Sequence, residues 1–214
     1  VKIKNLISRT TRKNNSYFRV SLIEFREEGL YCPPAKVYID PWRPVNKALI
    51  THAHADHARW GMKSYLAHEI SVPVMRHRLR QEINCQGLKY DERLSINGVE
   101  ISFHSAGHIP GSSQIRLEHK GEVWVISGDY KTQADRISTP FEPIKCHHFV
   151  TESTFGLPIY NWKKEEILQQ ELHNWVKTNQ SNNRTSVFLG YSLGKAQRLL
   201  KHLDPSIGKI LTHG

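Results

Sequence analysis

The sequence predicts a mixed α/β protein, because two textures meet near Pro158 and a dense polar stretch follows one of the predicted strands. Residues 1 to about 150 read as short β-rich runs broken by turns, whereas the remainder alternates helical and strand patterns. Within the first part, "ALITHAHADHARWG" sets three histidines and an aspartate into the six positions from His52 to His57, directly after an apolar run.

The β-rich runs are "RVSLIEF", "LYC", "KVYID", "KALIT", "VEISFH", "SQIRLEH" and "EVWVIS", with Gly98, Gly111 and Gly121 separating the later ones and "EHKGEV" reading as a hairpin turn. A helix is expected over about Val74 to Asn84, with Arg76, Arg78 and Arg80 on its solvated face. After Pro158, Asn161 is placed to cap a helix whose first turn holds Glu165 and Glu166. Leu168, Leu172, Trp175 and Val176 then form one apolar stripe, read as core. "TSVFLG" reads as a buried strand, a helix comes next from about Ser192, and "KILTH" reads as another strand, which together make the unit of a parallel α/β layer.

With 214 residues and 38% hydrophobic content, the chain can bury one core and make one domain, or one domain and part of another. Cys32, Cys85 and Cys146 lie far apart with no CxxC pair, which speaks against a disulfide framework and a thiolate zinc site and fits a reducing cytosol. No window approaches the ~20 apolar residues of a membrane helix, and the start of the sequence has no apolar signal-peptide core, so a soluble, cytoplasmic protein is expected. Thirty Lys and Arg against twenty Asp and Glu give +10. Lys2, Lys4, Arg9, Arg12, Lys13 and Arg19 precede the first acid, Glu24, and such a field favours polyanions, nucleic acid above all. Charge alone does not separate that reading from a merely soluble basic surface.

The crowded stretch carries the chemistry. If "KALIT" is a strand, His52 and His54 leave its end together, while Asp56 and His57 sit at the turn into a helix. Neutral imidazoles and a carboxylate suit zinc or a similar first-row metal. His108 in "SAGHIPGSS" and Asp129 in "VWVISGDY" also lie at strand ends, and a carboxylate can bridge two cations. Asp129 would then complete a binuclear pocket, with His52, His54 and His108 around one metal and Asp56 and His57 on the other.

HAHADH, the histidine of AGH and the aspartate of SGDY resemble the metallo-β-lactamase fold, a four-layer αββα sandwich whose members mostly hydrolyse esters, thioesters, amides or phosphodiesters. Asp40 in "YIDP" looks like that fold's early aspartate, which supports the ligand loop from behind; a turn-forming Asp before Pro41 is the plainer alternative. "FVTESTFG", with Glu152, resembles the acidic motif of the β-CASP nucleases, and "FLGYSLGKAQRLL" is similar to the strand and helix opening their inserted second domain. With "GLYCP", "YIDPWRP" and "SGDYKT", the chain looks like the bacterial ligase-associated exonucleases, also labelled mRNA 3′-end processing factor-like.

That resemblance implies residues 1–157 as the N-terminal part of a metallo-β-lactamase domain and 158–214 as the incomplete start of a β-CASP domain. It implies two Zn2+ ions, with Mn2+ tolerated by the same ligands, and DNA or RNA as substrate, single-stranded or end-containing, with a DNA ligase as a possible partner. In the implied mechanism Asp129 bridges, Asp56 accepts or orients a water proton, and Glu152 steers the water. Tyr130 and Lys131, together with Ser192 and Lys195, are candidate nucleic-acid contacts, although packing and a plain helix cap are the blander readings of Tyr130 and Ser192. Trp42 and Trp60 fit base stacking or packing equally.

The family has two later histidine motifs that this sequence lacks, and His213 in "LTHG" is read as a non-ligand, so the chain reads as a fragment. "GYSLGK" is too short for a phosphate-binding loop and has Ala196 where Ser or Thr is required. Two other function classes stay open: a small-molecule thioester or lactone hydrolase on the same fold, and a non-catalytic nucleic-acid-binding chain.

Overall fold

The computed structural model describes residues 21–213; the basic cluster from Lys2 to Arg19 lies outside the described residues. Two sheets form. The first is built from β1 (Glu24–Arg26), β2 (Gly29–Cys32), β3 (Val37–Ile39), β4 (Lys47–Leu49), β5 (Ser64–His68) and β6 (Cys85–Leu88), in that order across the sheet. Its first three strands pair antiparallel and β3 to β6 run parallel. Helix α1 (Ser71–Leu79) is the crossover between β5 and β6. The second sheet is the antiparallel run β7 (Arg93–Ile96), β8 (Val99–Ser105), β9 (Ser113–His119) and β10 (Glu122–Ile126), with β11 (His148–Val150) added parallel to β10.

Alternation along the strands separates two cores. Leu49 and Leu66 join Val37 and Ile39 against Ile101, Phe103, Ile115 and Leu117 of the facing sheet. Ala48, Ile50, Tyr65 and Ala67, one position away, turn to the other face and meet Val72, Met75 and Leu79 of α1. Neighbouring residues of a strand face opposite ways, so one sheet is buried on both sides and its strands read as continuous apolar runs. The side chains of Phe103, Ile101 and Leu117 have no exposure at all, each worth roughly 1.5–3 kcal/mol of hydrophobic burial. Helix, sheet and sheet are thus three successive layers of the αββα sandwich, and every predicted metal-ligating residue lies just past the end of a strand or in a turn after one.

Several local expectations change. Helix α1 begins at Ser71 rather than near Val74 and ends at Leu79, because Pro73 is tolerated in a first turn whose N–H groups lack helical partners anyway. Strands β5, β6, β7 and β11 are absent from the sequence-based expectation. For β7 the signal is present: Asn97 and Gly98 both take positive φ in a two-residue turn between Ile96 and Val99, the favoured hairpin chemistry. The "EHKGEV" hairpin forms as expected, with Lys120 and Gly121 in the same conformation.

Beyond Pro158, helices α2 (Glu165–Ser181) and α3 (Lys195–His202) form, but Lys164 rather than Asn161 occupies the cap of α2, and its side chain makes no capping bond. "TSVFLG" and "KILTH" are not strands, and Val187, Leu189 and Leu211 are exposed. A strand needs a neighbour for its N–H and C=O groups, and none lies beside either segment among the described residues. The apolar stripe of α2 is only partly covered there, with Leu168 and Trp175 half exposed although Trp175 meets the Phe188 ring edge-on. No helix among the described residues is long and apolar enough to cross a membrane.

Candidate metal centre

The site begins where β3 and β4 end side by side. Asp40, just past β3, accepts the Thr51 backbone N–H at 2.8 Å on one carboxylate oxygen, and the Thr51 hydroxyl at 2.6 Å on the other. One helical turn comes next, with the N–H groups of His57 and Ala58 both donating to the His54 carbonyl, which swings His57 back over the strand ends. There its Nδ1–H donates to Asp40 Oδ2 at 2.7 Å. One carboxylate therefore holds both ends of the histidine-rich loop.

The second contribution comes from the loop between β8 and β9. Ser112 accepts the N–H groups of His108 and Ile109 on its hydroxyl oxygen, and the Ser113 N–H donates to the Thr51 carbonyl, fastening this loop to the first. The third comes from the end of β10, where Gly128 has φ 55° and lies so close to Thr51 that a Cβ would sit 2.6 Å from the Thr51 Cβ. That close approach delivers Asp129.

His52, His54, His108 and Asp129 each offer one ligand atom, and these atoms all lie within 4.8 Å of one another. His52 Nε2 is 2.9 Å from His54 Nδ1, which is 3.3 Å from His108 Nε2. Asp129 Oδ2 stands 3.8 Å from His52 Nε2 and 3.7 Å from His108 Nε2. Its other oxygen, Oδ1, stands 3.3 Å from His57 Nε2, and Asp56 Oδ2 is 3.8 Å from the same nitrogen. His52 is fully buried, whereas the Asp56 side chain is 73% exposed and lies at the rim.

The donor chemistry fits a cation. The Thr51 hydroxyl gives its proton to Asp40 and so receives one from His52 Nδ1 at 3.1 Å, which leaves a lone pair on His52 Nε2. The carbonyl of Leu193 accepts from His54 Nε2 at 3.0 Å, leaving the lone pair on Nδ1. Lone pairs that face one another at such range repel unless a positive charge lies among them, and three imidazole nitrogens with a carboxylate are a donor set suited to zinc.

The electrostatics agree. Burial, with His57 and His108 nearby, pushes the His52 imidazole well below its ordinary value, and burial also lowers His108. Burial would lower His57 too, but its contacts with Asp129 and Asp40 outweigh that and raise it to about 10. The same contact with His57 holds the Asp129 carboxyl down at about 2 despite burial.

The other predicted residues take separate places. Glu152 is half-buried, accepts the Thr154 N–H at 3.0 Å, and its charge opposes the lowering of His108. Tyr130 packs in an aromatic corner with Phe141 and Phe149. Lys131 turns to the buried carboxylate of Asp135, 3.7 Å away. The Ser192 carbonyl accepts from Gln197, Gly194 rather than Ser192 is the cap of α3, and Lys195 lies 5.0 Å over the Tyr191 ring. Trp42 and Trp60 are exposed, and His213 is exposed and outside the cluster.

Sequence reasoning missed Thr51, whose hydroxyl meets the Asp40 carboxylate and the rings of His52 and His57, and Arg78, whose guanidinium donates to the Ala53 carbonyl between His52 and His54. Arg78 is therefore a brace rather than only a solvated charge. It also missed the meeting of His104 with Asp91 and Glu142, both about 3 Å from its Nδ1, for which residues so far apart give no local signal.

No family model matches the sequence. The chain is 29% identical over 188 residues to a probable DNA ligase of Opitutus terrae, a match covering 86% of this chain and 18% of that protein. It is 25% identical over 164 residues to an RNase J-like protein of Methanocaldococcus jannaschii, covering 75% and 38%. With cleavage and polyadenylation specificity factor subunit 3 of Dictyostelium discoideum it shares 26% over 121 residues, covering 55% and 15%. The chain thus spans well under half the length of each of these relatives. A crystal structure of the metallo-β-lactamase fold protein YhfI from Bacillus subtilis aligns at a TM-score of 0.36, with 14% identity over 49% of this chain and 54% of that one. Relatives that share sequence over most of this chain, together with a two-sheet sandwich that sets its histidines at the strand ends, support the resemblance to the metallo-β-lactamase fold and its β-CASP nucleases.

Proposed function

We propose that this chain carries the metal centre of a nuclease that hydrolyses phosphodiester bonds of DNA or RNA. The observation that carries the reading is the Asp129 carboxylate, whose two oxygens serve two sets of nitrogens: Oδ2 faces His52 and His108, and Oδ1 faces His57. A shared carboxylate of this kind suits two cations side by side. His52, His54 and His108 would hold one, His57 and Asp56 the other, with Asp129 between them. Zinc fits these ligands best, and manganese is the alternative.

Divalent cations there supply Lewis acidity, lowering the pKa of a water toward ~7 and offsetting charge on phosphoryl oxygens. The chain's own residues do the rest. Asp40 and Thr51 orient the ligand rings, Asp56 at the open rim takes or directs a proton, and Glu152 adds a negative charge within electrostatic reach of His108. The basic balance of +10 favours a polyanionic substrate over a small ester. In this reading residues 1–157 belong to the metallo-β-lactamase domain and 158–214 open the β-CASP domain. Single-stranded or end-containing DNA or RNA is the substrate, a DNA ligase is a functional partner, and the setting is cytoplasmic.

The test is metal analysis with end-labelled single-stranded DNA and RNA, comparing the chain with its Asp129→Asn variant. The expected outcome is two ions per chain, and cleavage that the variant loses by about 100-fold or more. Equal background from both proteins, or binding to either strand that does not weaken with salt, would contradict the nuclease reading.

A further inference from the structure

The sequence of the segment after Pro158 gives no reason to expect a part of it at the metal centre. Yet the carbonyl of Leu193 lies 3.0 Å from His54 Nε2, joining residues 139 positions apart. A carbonyl only accepts. The imidazole must therefore carry its proton on Nε2, which leaves Nδ1 with the lone pair that faces His52 and His108.

The turn that presents this carbonyl is held in place from both sides. The Gln197 side chain accepts the Gly194 N–H at 2.7 Å and donates to the Ser192 carbonyl at 2.8 Å, bracketing Leu193, while the Ala196 N–H donates to the Tyr191 carbonyl at 3.0 Å. Gly194 has φ 94°, and a Cβ there would sit 2.7 Å from Ile109 Cγ2, the residue next to His108. Leu193 itself packs against the core beneath the histidine loop. The turn is thus seated on two ligand-bearing loops at once, at a place only glycine can occupy.

We propose that the turn at 191–194 is a working part of the metal centre: Leu193, with its carbonyl aimed by Gln197, fixes the His54 ring with Nδ1 toward the ion, so that docking of the segment after Pro158 and metal occupancy support each other. The inference rests on the metal-binding reading above and goes beyond it by naming the positioning residues and the coupling. Partners that accept the other ring proton of a ligating histidine orient the ring and raise its basicity, and their loss typically costs about 10–100-fold in metal affinity. Linkage makes the effect reciprocal, since whatever tightens the ion must also tighten the turn.

The test measures zinc affinity of this chain by competition with a chromophoric chelator, together with backbone hydrogen exchange with and without zinc. Gln197 is exposed, so Gln197→Ala leaves the fold intact and should weaken zinc about 3- to 10-fold. Gly194→Val, which pushes the turn off Ile109, should weaken it about 10- to 100-fold. Zinc should slow exchange of the amides at 191–196 in the parent chain and leave them unchanged in Gly194→Val. Long-range nitrogen NMR of the His54 ring should report a proton held on Nε2 in the parent even before zinc is added. If the parent binds zinc but both variants bind it equally well and the amides at 191–196 are indifferent to zinc, the coupling is wrong while the metal centre stands. If the parent binds no zinc, both ideas fall together.

Discussion

The Asp40 carboxylate accepts the Nδ1–H of His57 at 2.7 Å and, through the same oxygen, the hydroxyl of Thr51 at 2.6 Å. An aspartate at the end of one strand thereby orients a ring carried by a loop seventeen residues later. Asp40→Asn keeps the shape but weakens these acceptors. Zinc binding at the position proposed for His57 and Asp56 should weaken about 10- to 100-fold, while an ion at the position proposed for His52, His54 and His108 should be lost less readily. Chelator titration resolving two steps checks this, and two unchanged steps would count against the role given to Asp40.

Arg78 braces the loop from below through the Ala53 carbonyl. The group is on the surface, so Arg78→Ala should cost only about 1 kcal/mol in urea unfolding, within the ordinary range for one hydrogen bond. The larger effect should be on metal affinity, because Ala53 separates His52 from His54. A lysine at this position should restore part of the affinity, as a single charged donor still reaches a carbonyl.

Asp135 ties the loop after β10 to the helices beyond Pro158. Its side chain is 1% exposed, 3.7 Å from Lys131 Nζ and 3.9 Å from Arg198 Nε, and Arg198 also reaches Glu165 at 3.5 Å. Burial favours the neutral acid, but the N–H groups of Ser138 and Ile137 with the two cations outweigh it, so the carboxyl lies below its ordinary 3.8. A lowered folded value means that this contribution is present above the unfolded value of 3.8 and is lost as pH falls through the folded value. Asp135→Asn deprives both cations of this partner, should cost roughly 3 kcal/mol, and should remove the acid-side loss of stability from a pH series of denaturation midpoints.

Phe103 has no solvent exposure and stands between the two sheets. Phe103→Ala should cost about 3–5 kcal/mol, measured by urea unfolding, and the metal centre should loosen only as far as the sandwich does.

How much can be read in the sequence depends on how local each cause is. That His52, His54, His108 and Asp129 gather at one place is legible because each comes after a strand run, and strand ends bring distant loops together whatever the exact strand order. Asp40 is legible only by resemblance, since nothing near it in sequence names its partners Thr51 and His57. The strands β5 and β6 escape reading because "SYLAH" and "CQGL" mix small and polar residues whose burial depends on α1 and on the facing sheet. Beyond Pro158, "TSVFLG" has a strand's composition, but composition does not supply the neighbouring strand that pairing requires. The Leu193 carbonyl is invisible for a simpler reason: backbone atoms carry no sequence signature.

Metal binding as proposed requires four side chains from three separate loops to surround one cation. Crystals of the chain grown with zinc and measured at the zinc absorption edge test it most directly. The expected result is an anomalous peak at roughly 2.0–2.2 Å from His52 Nε2, His54 Nδ1, His108 Nε2 and an oxygen of Asp129. A peak found only at His104 with Asp91 and Glu142, or none at all with zinc in excess, would contradict it.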